Sequence, residues 1–141
     1  MLLLFGSNFI AYSHQTYDKM ENNLFGPEDE SKDLIVLWTS GDKEVALNMV
    51  FMYTYNAKKN GWWENITLIV WGPSAKLSAE DKEIADNLKG MMDIGIIVEA
   101  CKGCSDRYGV SSDLEELGID VRYIGVDFTN YIKKNNKILT F

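Results

Sequence analysis

Cysteine, histidine and proline are scarce in this 141-residue sequence, which contains two cysteines, one histidine and two prolines. A small disulfide-stabilised fold needs several cysteines spread along the chain, but Cys101 and Cys104 lie only three positions apart. A zinc site within one chain needs about four ligands, and beyond the two cysteines the only histidine is His14. We therefore expect no metal site, and the cysteine pair fits a reducing compartment such as the cytoplasm.

Basic residues are outnumbered as well. The 14 Lys and Arg residues face 21 Asp and Glu residues, which gives a net charge of −7. No basic stripe is available to neutralise phosphates, so nucleic acid is not expected as a partner. No stretch reaches the ~20 apolar residues of a membrane-spanning helix, so a membrane is not expected either.

The chain nevertheless has the composition of a globular protein, with 46% hydrophobic and 25% charged residues. Residues 1–5 resemble the apolar core of a signal peptide, but they lack a basic start and end at once at Gly6. Residues 1–32 show no sustained period and include an acidic run. They predict an irregular N-terminal extension, followed by one domain over residues 33–141.

Strand and helix patterns alternate from Asp33 onward. Strand patterns cover residues 34–38, 66–71, 96–100, 121–124 and 138–141. The first of them is a continuous apolar run, which is typical of a strand buried on both faces of a parallel sheet. Helical spacing of apolar residues covers residues 43–59, 78–92, 101–108, 112–117 and 129–134. The alternation predicts a single-domain α/β fold with about five mainly parallel strands and helices on both faces, in three layers (α/β/α).

The first predicted helix is apolar around much of its circumference. Val45, Met49 and Met52 fall on one side, whereas Val50 and Phe51 turn toward another. A lone domain of this size has little reason to form so wide an apolar surface. The pattern therefore predicts that part of this helix is an interface between subunits.

Ligands and chemistry in parallel sheets lie at the carboxyl ends of the strands, which indicates the turns at residues 39–42, 72–74 and 100–104. Ser40 and Gly41 could hold an anion at a helix start, although helix capping is the simpler interpretation. Ser74 could contact a ligand or the Cys101 thiol, or it could simply complete a turn.

The Cys101–Cys104 pair is the sharpest chemical feature of the sequence. Cys101 directly follows an apolar strand and begins a predicted helix, where backbone N–H groups and the helix dipole stabilise an anion. We therefore expect a lowered pKa for this thiol, with Lys102 adding to the effect, and a thiolate that attacks persulfide or disulfide sulfur. Cys104, one helical turn on, could pair with Cys101 or resolve an oxidised sulfur. The alternative is that both are small buried hydrophobes.

Several stretches of the sequence resemble the DsrE/DsrF-like family, which includes sulfur-relay subunits of sulfur oxidation and of tRNA thiolation. The longest is VEACKGCSDRYGV at residues 98–110, where the cysteine after the third strand precedes a short helix ending in Gly-Val. The other stretches are residues 39–42 with 44–47, residues 71–77 (WGPSAKL) and the ending at residues 139–141 (LTF).

This resemblance implies that Cys101 accepts a sulfane sulfur as a persulfide and passes it to a partner protein, as a sulfur carrier or sulfurtransferase. It also implies homotrimers or homohexamers, sulfur donor and acceptor proteins as partners, and no cofactor. The second cysteine is a feature of another branch of the family, so tRNA thiolation is not carried over. Two alternatives stay open: a dithiol redox protein that uses Cys101 and Cys104, and a non-catalytic oligomeric module that binds a small ligand.

Overall fold

The computed structural model describes residues 32–141 as one five-stranded sheet with six helices. The predicted extension over residues 1–32 therefore lies, apart from Lys32, outside the described residues, and its boundary stays a prediction. All strand pairs are parallel, which confirms the predicted α/β class and its three layers. The strands are β1 Asp33–Trp38, β2 Asn65–Val70, β3 Ile97–Cys101, β4 Asp120–Arg122 and β5 Lys137–Thr140, arranged in the order β4-β3-β2-β1-β5.

The first helix, α1, follows β1 in three consecutive segments, Lys43–Val45, Ala46–Phe51 and Met52–Lys59, of which the middle one is π-helical. Such π-helical stretches are rare and are not encoded by apolar periodicity. The remaining helices are α2 Pro73–Glu80, α3 Lys82–Asp93, α4 Lys102–Tyr108, α5 Ser111–Glu116 and α6 Gly125–Lys133.

The prediction of one helix over residues 78–92 is wrong, because α2 and α3 are separate. Asp81 interrupts the helical path with an extended backbone (φ −107°, ψ 115°), and its carboxylate accepts hydrogen bonds from the N–H groups of Glu83 and Ile84. Asp81 is thus the N-cap of α3, and this position strongly favours aspartate. The last helix also begins earlier than expected, at Gly125.

The strand order explains how the layers form. Strands β1 to β4 follow one another across the sheet. Because crossovers between parallel strands are right-handed as a rule, the intervening helices lie on a single face. The larger core lies there, where Val36, Leu68 and Val98 of the sheet meet Val50 and Leu88 of the helices.

The connection from β4 to β5 returns across the opposite face and contains α6. Its residues Ile124, Phe128 and Tyr131 recur at helical spacing and pack on a smaller cluster that includes Ile35 and Ile69. Within residues 32–141, no helix is long and apolar enough to cross a membrane.

Candidate functional site

Cys101 is both the last residue of β3 and the N-cap of α4. The N-cap position lies beside the N–H groups of the first helical turn, which have no acceptor within the helix. Helix α4 ends at Tyr108, and Gly109 follows in the left-handed conformation (φ 71°) that glycine adopts without strain. The predicted junction of strand, cysteine and short helix is therefore confirmed.

The expected lowering of the Cys101 pKa is wrong. Cys101 is only 8% exposed, and burial raises the pKa of its thiol above the usual value of 9.0. The Cys104 thiol raises this pKa further, whereas the N–H groups of Cys104 and Gly103 lower it. Removal from water outweighs the helix start, so the resting Cys101 thiol is protonated at neutral pH.

The two thiols share an apolar environment on the α6 face of the sheet. Both cysteines are free, and Cys101 is buried whereas Cys104 is partly exposed. In the same cluster Trp71 and Phe128 form an edge-to-face aromatic pair, with ring centroids 5.7 Å apart. The cluster contains Ile35, Ile69, Cys101 and Ile124, with Leu37, Trp71, Cys104, Phe128, Tyr131 and Ile138 packed against it.

The ammonium group of Lys102 is paired with a carboxylate. Its Nζ lies 3.0 Å from Oδ1 of Asp106, one turn further along α4, and this pairing raises the pKa of Lys102. The same carboxylate accepts a hydrogen bond of 2.6 Å from Ser111, so Asp106 links α4 to α5. A direct effect of Lys102 on the Cys101 thiolate stays a prediction.

Ser74 links the ends of two strands. Its hydroxyl is fully buried, donates to the carbonyl of Trp38 at 2.7 Å and accepts from the N–H of Trp71 at 3.0 Å. The turn before it depends on Gly72, whose φ of 77° and ψ of −136° are open essentially to glycine alone. These bonds make Ser74 a brace between β1 and β2, and a contact with a ligand or with the thiol stays a prediction.

Ser40 and Gly41 lie in the turn after β1, which is two strands away from β3. The Ser40 hydroxyl accepts from the N–H of Asp42, and Asp42 in turn caps α1. Gly41 packs tightly on the next turn, because a Cβ at this position would lie 3.0 Å from Cβ of Pro73. The turn therefore caps a helix and braces its neighbour, while its use as an anion site stays a prediction.

A buried charged network next to Cys101 was not identified from the sequence. Glu99 lies two residues before Cys101 on the same face of β3, and its side chain is 5% exposed. Its carboxylate accepts hydrogen bonds from Arg122 and, at 3.2 Å, from the Tyr131 hydroxyl. Burial raises the pKa of Glu99, and Arg122 and Tyr131 oppose this rise. The sequence feature that could have indicated this network was Glu99 itself, a single carboxylate inside an otherwise apolar strand.

Arg122 carries this network toward the surface. It is paired in register with Cys101 across β3 and β4, and its Nε lies 3.3 Å from Asp120 and 3.7 Å from Asp127. Three carboxylates thus surround one guanidinium. In the part of the chain that the structure describes, no three His, Cys, Asp or Glu side chains are arranged to hold a metal ion.

Of three comparisons with known proteins, only the one with solved structures gives matches, and these show first the fold and then the family. No protein-family model matches the chain, and a search of curated proteins gives no match. The structure of YchN from E. coli matches with a TM-score of 0.59 over 79% of this chain and 99% of that chain, at 19% identity. YchN is a protein of DsrE-like fold, and at this identity the likeness shows the fold alone.

A solved structure from Bacteroides thetaiotaomicron is more similar. BT1422, a conserved protein of unknown function, has 40% identity and a TM-score of 0.78, covering 82% of this chain and 100% of that chain. The chain therefore belongs to the same family as BT1422. Because the function of BT1422 is unknown, the activity has to be argued from the site itself.

Proposed function

We propose that this protein is a sulfur carrier, or a sulfurtransferase-like component of a sulfur relay, that holds a sulfane sulfur as a persulfide on Cys101 and passes it to a partner protein. The observation that carries the proposal is the position of Cys101, at the carboxyl end of β3 and the N-cap of α4. The DsrE-like fold shared with YchN supports a sulfur-relay function in general.

The raised pKa of Cys101 is compatible with holding a persulfide. A persulfide S–H is more acidic than a thiol S–H, so a site that keeps the resting thiol protonated still permits the persulfide anion. The N–H groups of Gly103 and Cys104 favour negative charge at this sulfur. A protonated resting thiol is also protected from oxidation, because the thiolate is the reactive species.

Uptake and release need no oxidant or reductant from outside. The Cys101 thiol, after losing its proton, attacks the terminal sulfur of a donor persulfide R–S–SH. The donor S–S bond breaks, R–S⁻ leaves and takes up a proton, and a Cys101 persulfide remains. Attack by an acceptor thiol on the same terminal sulfur reverses these bond changes and regenerates Cys101.

Intact-mass analysis after treatment with cysteine persulfide tests the proposal. We expect the protein to gain one sulfur atom, and alkylation followed by peptide mapping should locate it on Cys101. A doubly substituted variant (Cys101→Ser with Cys104→Ser) is the blank. A low-molecular-weight thiol treated in the same way shows that the donor is active. If this thiol gains sulfur and the wild-type protein does not, the proposal is wrong.

A dithiol redox protein is the second candidate, because the two free thiols influence each other within one helical turn. Its signature would be the loss of two hydrogens on mild oxidation and their return with a reductant. The same mass measurement therefore separates the two functions. A protein unchanged by both treatments would favour the small-ligand-binding module.

A further inference from the structure

We infer that sulfur reaches Cys101 by way of Cys104, which takes it from the donor and passes it inward. The inference rests on the proposed function and gives the second cysteine a distinct part in it. The two residues lie within one helical turn and differ in exposure, and this difference indicates the direction of transfer.

Exposure separates the two sulfurs. Cys101 is 8% exposed within the cluster formed with Ile69 and Ile124, whereas Cys104 lies at the margin of this cluster and is partly exposed. A thiol that takes sulfur from a donor must reach the donor's terminal sulfur along the line of its S–S bond. A donor in solution therefore meets Cys104 before it meets Cys101.

Position on the helix brings the two thiols together for the second step. Cys101 is the N-cap, so the N–H groups of Gly103 and Cys104 lie near its sulfur and favour an anion there. Cys104 is the third residue of α4, and its thiol interacts directly with that of Cys101 within the same helical turn. Because burial outweighs the N–H groups at Cys101, shelter and not charge favours the inward step: a persulfide on Cys101 is held away from nucleophiles in the solvent, whereas one on Cys104 is partly exposed to them.

The transfer balances in atoms and electrons. The Cys104 thiolate attacks the terminal sulfur of R–S–SH, the donor S–S bond breaks and R–S⁻ leaves with a proton from the solvent. Cys101 then loses its proton and attacks the outer sulfur of the Cys104 persulfide. A Cys101 persulfide forms, and Cys104 leaves as a thiolate that takes up the proton given by Cys101. Both steps move the sulfane sulfur from one thiol to another, so neither step needs an external oxidant or reductant.

Time-resolved labelling of the wild-type protein tests the order directly. The protein is mixed with cysteine persulfide, quenched with iodoacetamide at intervals and mapped by peptide mass. We expect the extra sulfur on Cys104 first and on Cys101 later, with the first signal falling as the second rises. This measurement needs no variant, so it does not depend on how a substitution affects folding.

Single substitutions test the same order. Cys104→Ser should load Cys101 at least about tenfold more slowly than the wild type, because the accessible thiol is gone. Cys101→Ser, in which serine is itself a favourable N-cap, should load Cys104 at the wild-type initial rate but lose the sulfur to cyanide at least about tenfold faster. The variant with both substitutions is again the blank.

Four results would overturn the inference. Sulfur that appears first on Cys101, or Cys104→Ser that loads at the wild-type rate, would show direct uptake by Cys101 and would leave the proposed function standing. Conversion of the Cys104 persulfide into a Cys101–Cys104 disulfide with release of sulfide would show attack at the inner sulfur instead. A wild-type protein that takes up no sulfur would overturn both the inference and the proposed function.

Discussion

The carboxylate of Glu99 lies inside the sheet on the face that carries Cys101, and Arg122 of the neighbouring strand keeps it paired. Removing one partner of such a pair leaves a buried charge without its counter-ion. Because 39% of the Arg122 side chain is exposed, the loss is smaller than for a fully buried pair. We expect Arg122→Met to lower the free energy of unfolding at neutral pH by about 2 to 3 kcal/mol, as measured by urea denaturation.

The pH dependence of this loss follows from the direction of the Glu99 pKa. Arg122 opposes the rise that burial causes, so the pKa of Glu99 in the folded state rises further without Arg122. The folded protein then holds the Glu99 proton more tightly than the unfolded chain does, and stability falls as pH rises from the unfolded value of 4.5 through the folded pKa. The cost of Arg122→Met should therefore shrink toward pH 4.5. Arg107→Met, at an exposed position on α4, should cost less than about 0.5 kcal/mol throughout, and equal costs for both variants would contradict the prediction.

Cys101 and Glu99 show how far sequence reasoning extends at the scale of single residues. The place of Cys101 was predictable, because a largely apolar strand pattern ends at this position and a helix pattern begins. Its raised pKa was not, because the burial depends on Ile124, which precedes α6, and on Phe128 within α6, both more than 20 positions away. Glu99 was missed for a related reason, since its partner Arg122 lies on another strand.

At the scale of elements, hydrogen bonds of Ser74 hold the turn between β2 and α2 against the end of β1. Ser74→Ala removes the hydroxyl that bonds to the Trp38 carbonyl and the Trp71 N–H, but these two backbone groups still bond to each other at 3.0 Å. We therefore expect the loss of an ordinary hydrogen bond, about 0.5 to 1.5 kcal/mol in urea denaturation. Ser112→Ala, at an exposed position on α5, should change stability by less than about 0.5 kcal/mol.

The same variant separates the two interpretations of Ser74. If the residue only braces the strands, persulfide loading per folded molecule should stay at the wild-type level in Ser74→Ala. A changed loading rate with unchanged stability would instead show that the hydroxyl takes part in the thiol chemistry.

Element boundaries were predictable where a local signal ends the element. Gly109 ends α4 as expected, because a left-handed residue at this position is a short-range requirement. The break at Asp81 was missed because Leu77, Ile84 and Leu88 keep a helical spacing across it, although Asp81 is itself a typical N-cap. The π-helical stretch of α1 had no signal in the apolar pattern.

At the scale of the whole molecule, the topology divides the sheet into two unequal faces. The strand order places helices α1 to α5 over one face, and α6 covers the thiols on the other. The alternation of strands and helices predicted the class and the parallel sheet. It did not predict the strand order, which depends on how the last connection returns, and this connection encloses Cys101.

The outer surface of α1 is the place where assembly can be tested. Val50 and Phe51 face the core, whereas Met49 and Met52 are more than half exposed. Next to them a groove of about 450 Å³ runs between α1 and α3. Its lining residues are Leu47, Phe51, Met52, Tyr55, Asp86, Asn87, Gly90 and Met91. An apolar surface of this kind is typical of a contact between subunits, and we expect a trimer or a hexamer.

Light scattering at micromolar concentration measures this expectation directly. In Met52→Asp a carboxylate would have to be buried in an apolar contact, which costs several kcal/mol, so the assembly should shift toward smaller species. Ile132→Asp is the matched control, because Ile132 is 52% exposed against 56% for Met52 but lies on α6, over the opposite face. It should leave the assembly intact. A monomeric wild-type protein would refute the oligomer, and dissociation caused by Ile132→Asp but not by Met52→Asp would move the interface to the α6 face, close to the thiols.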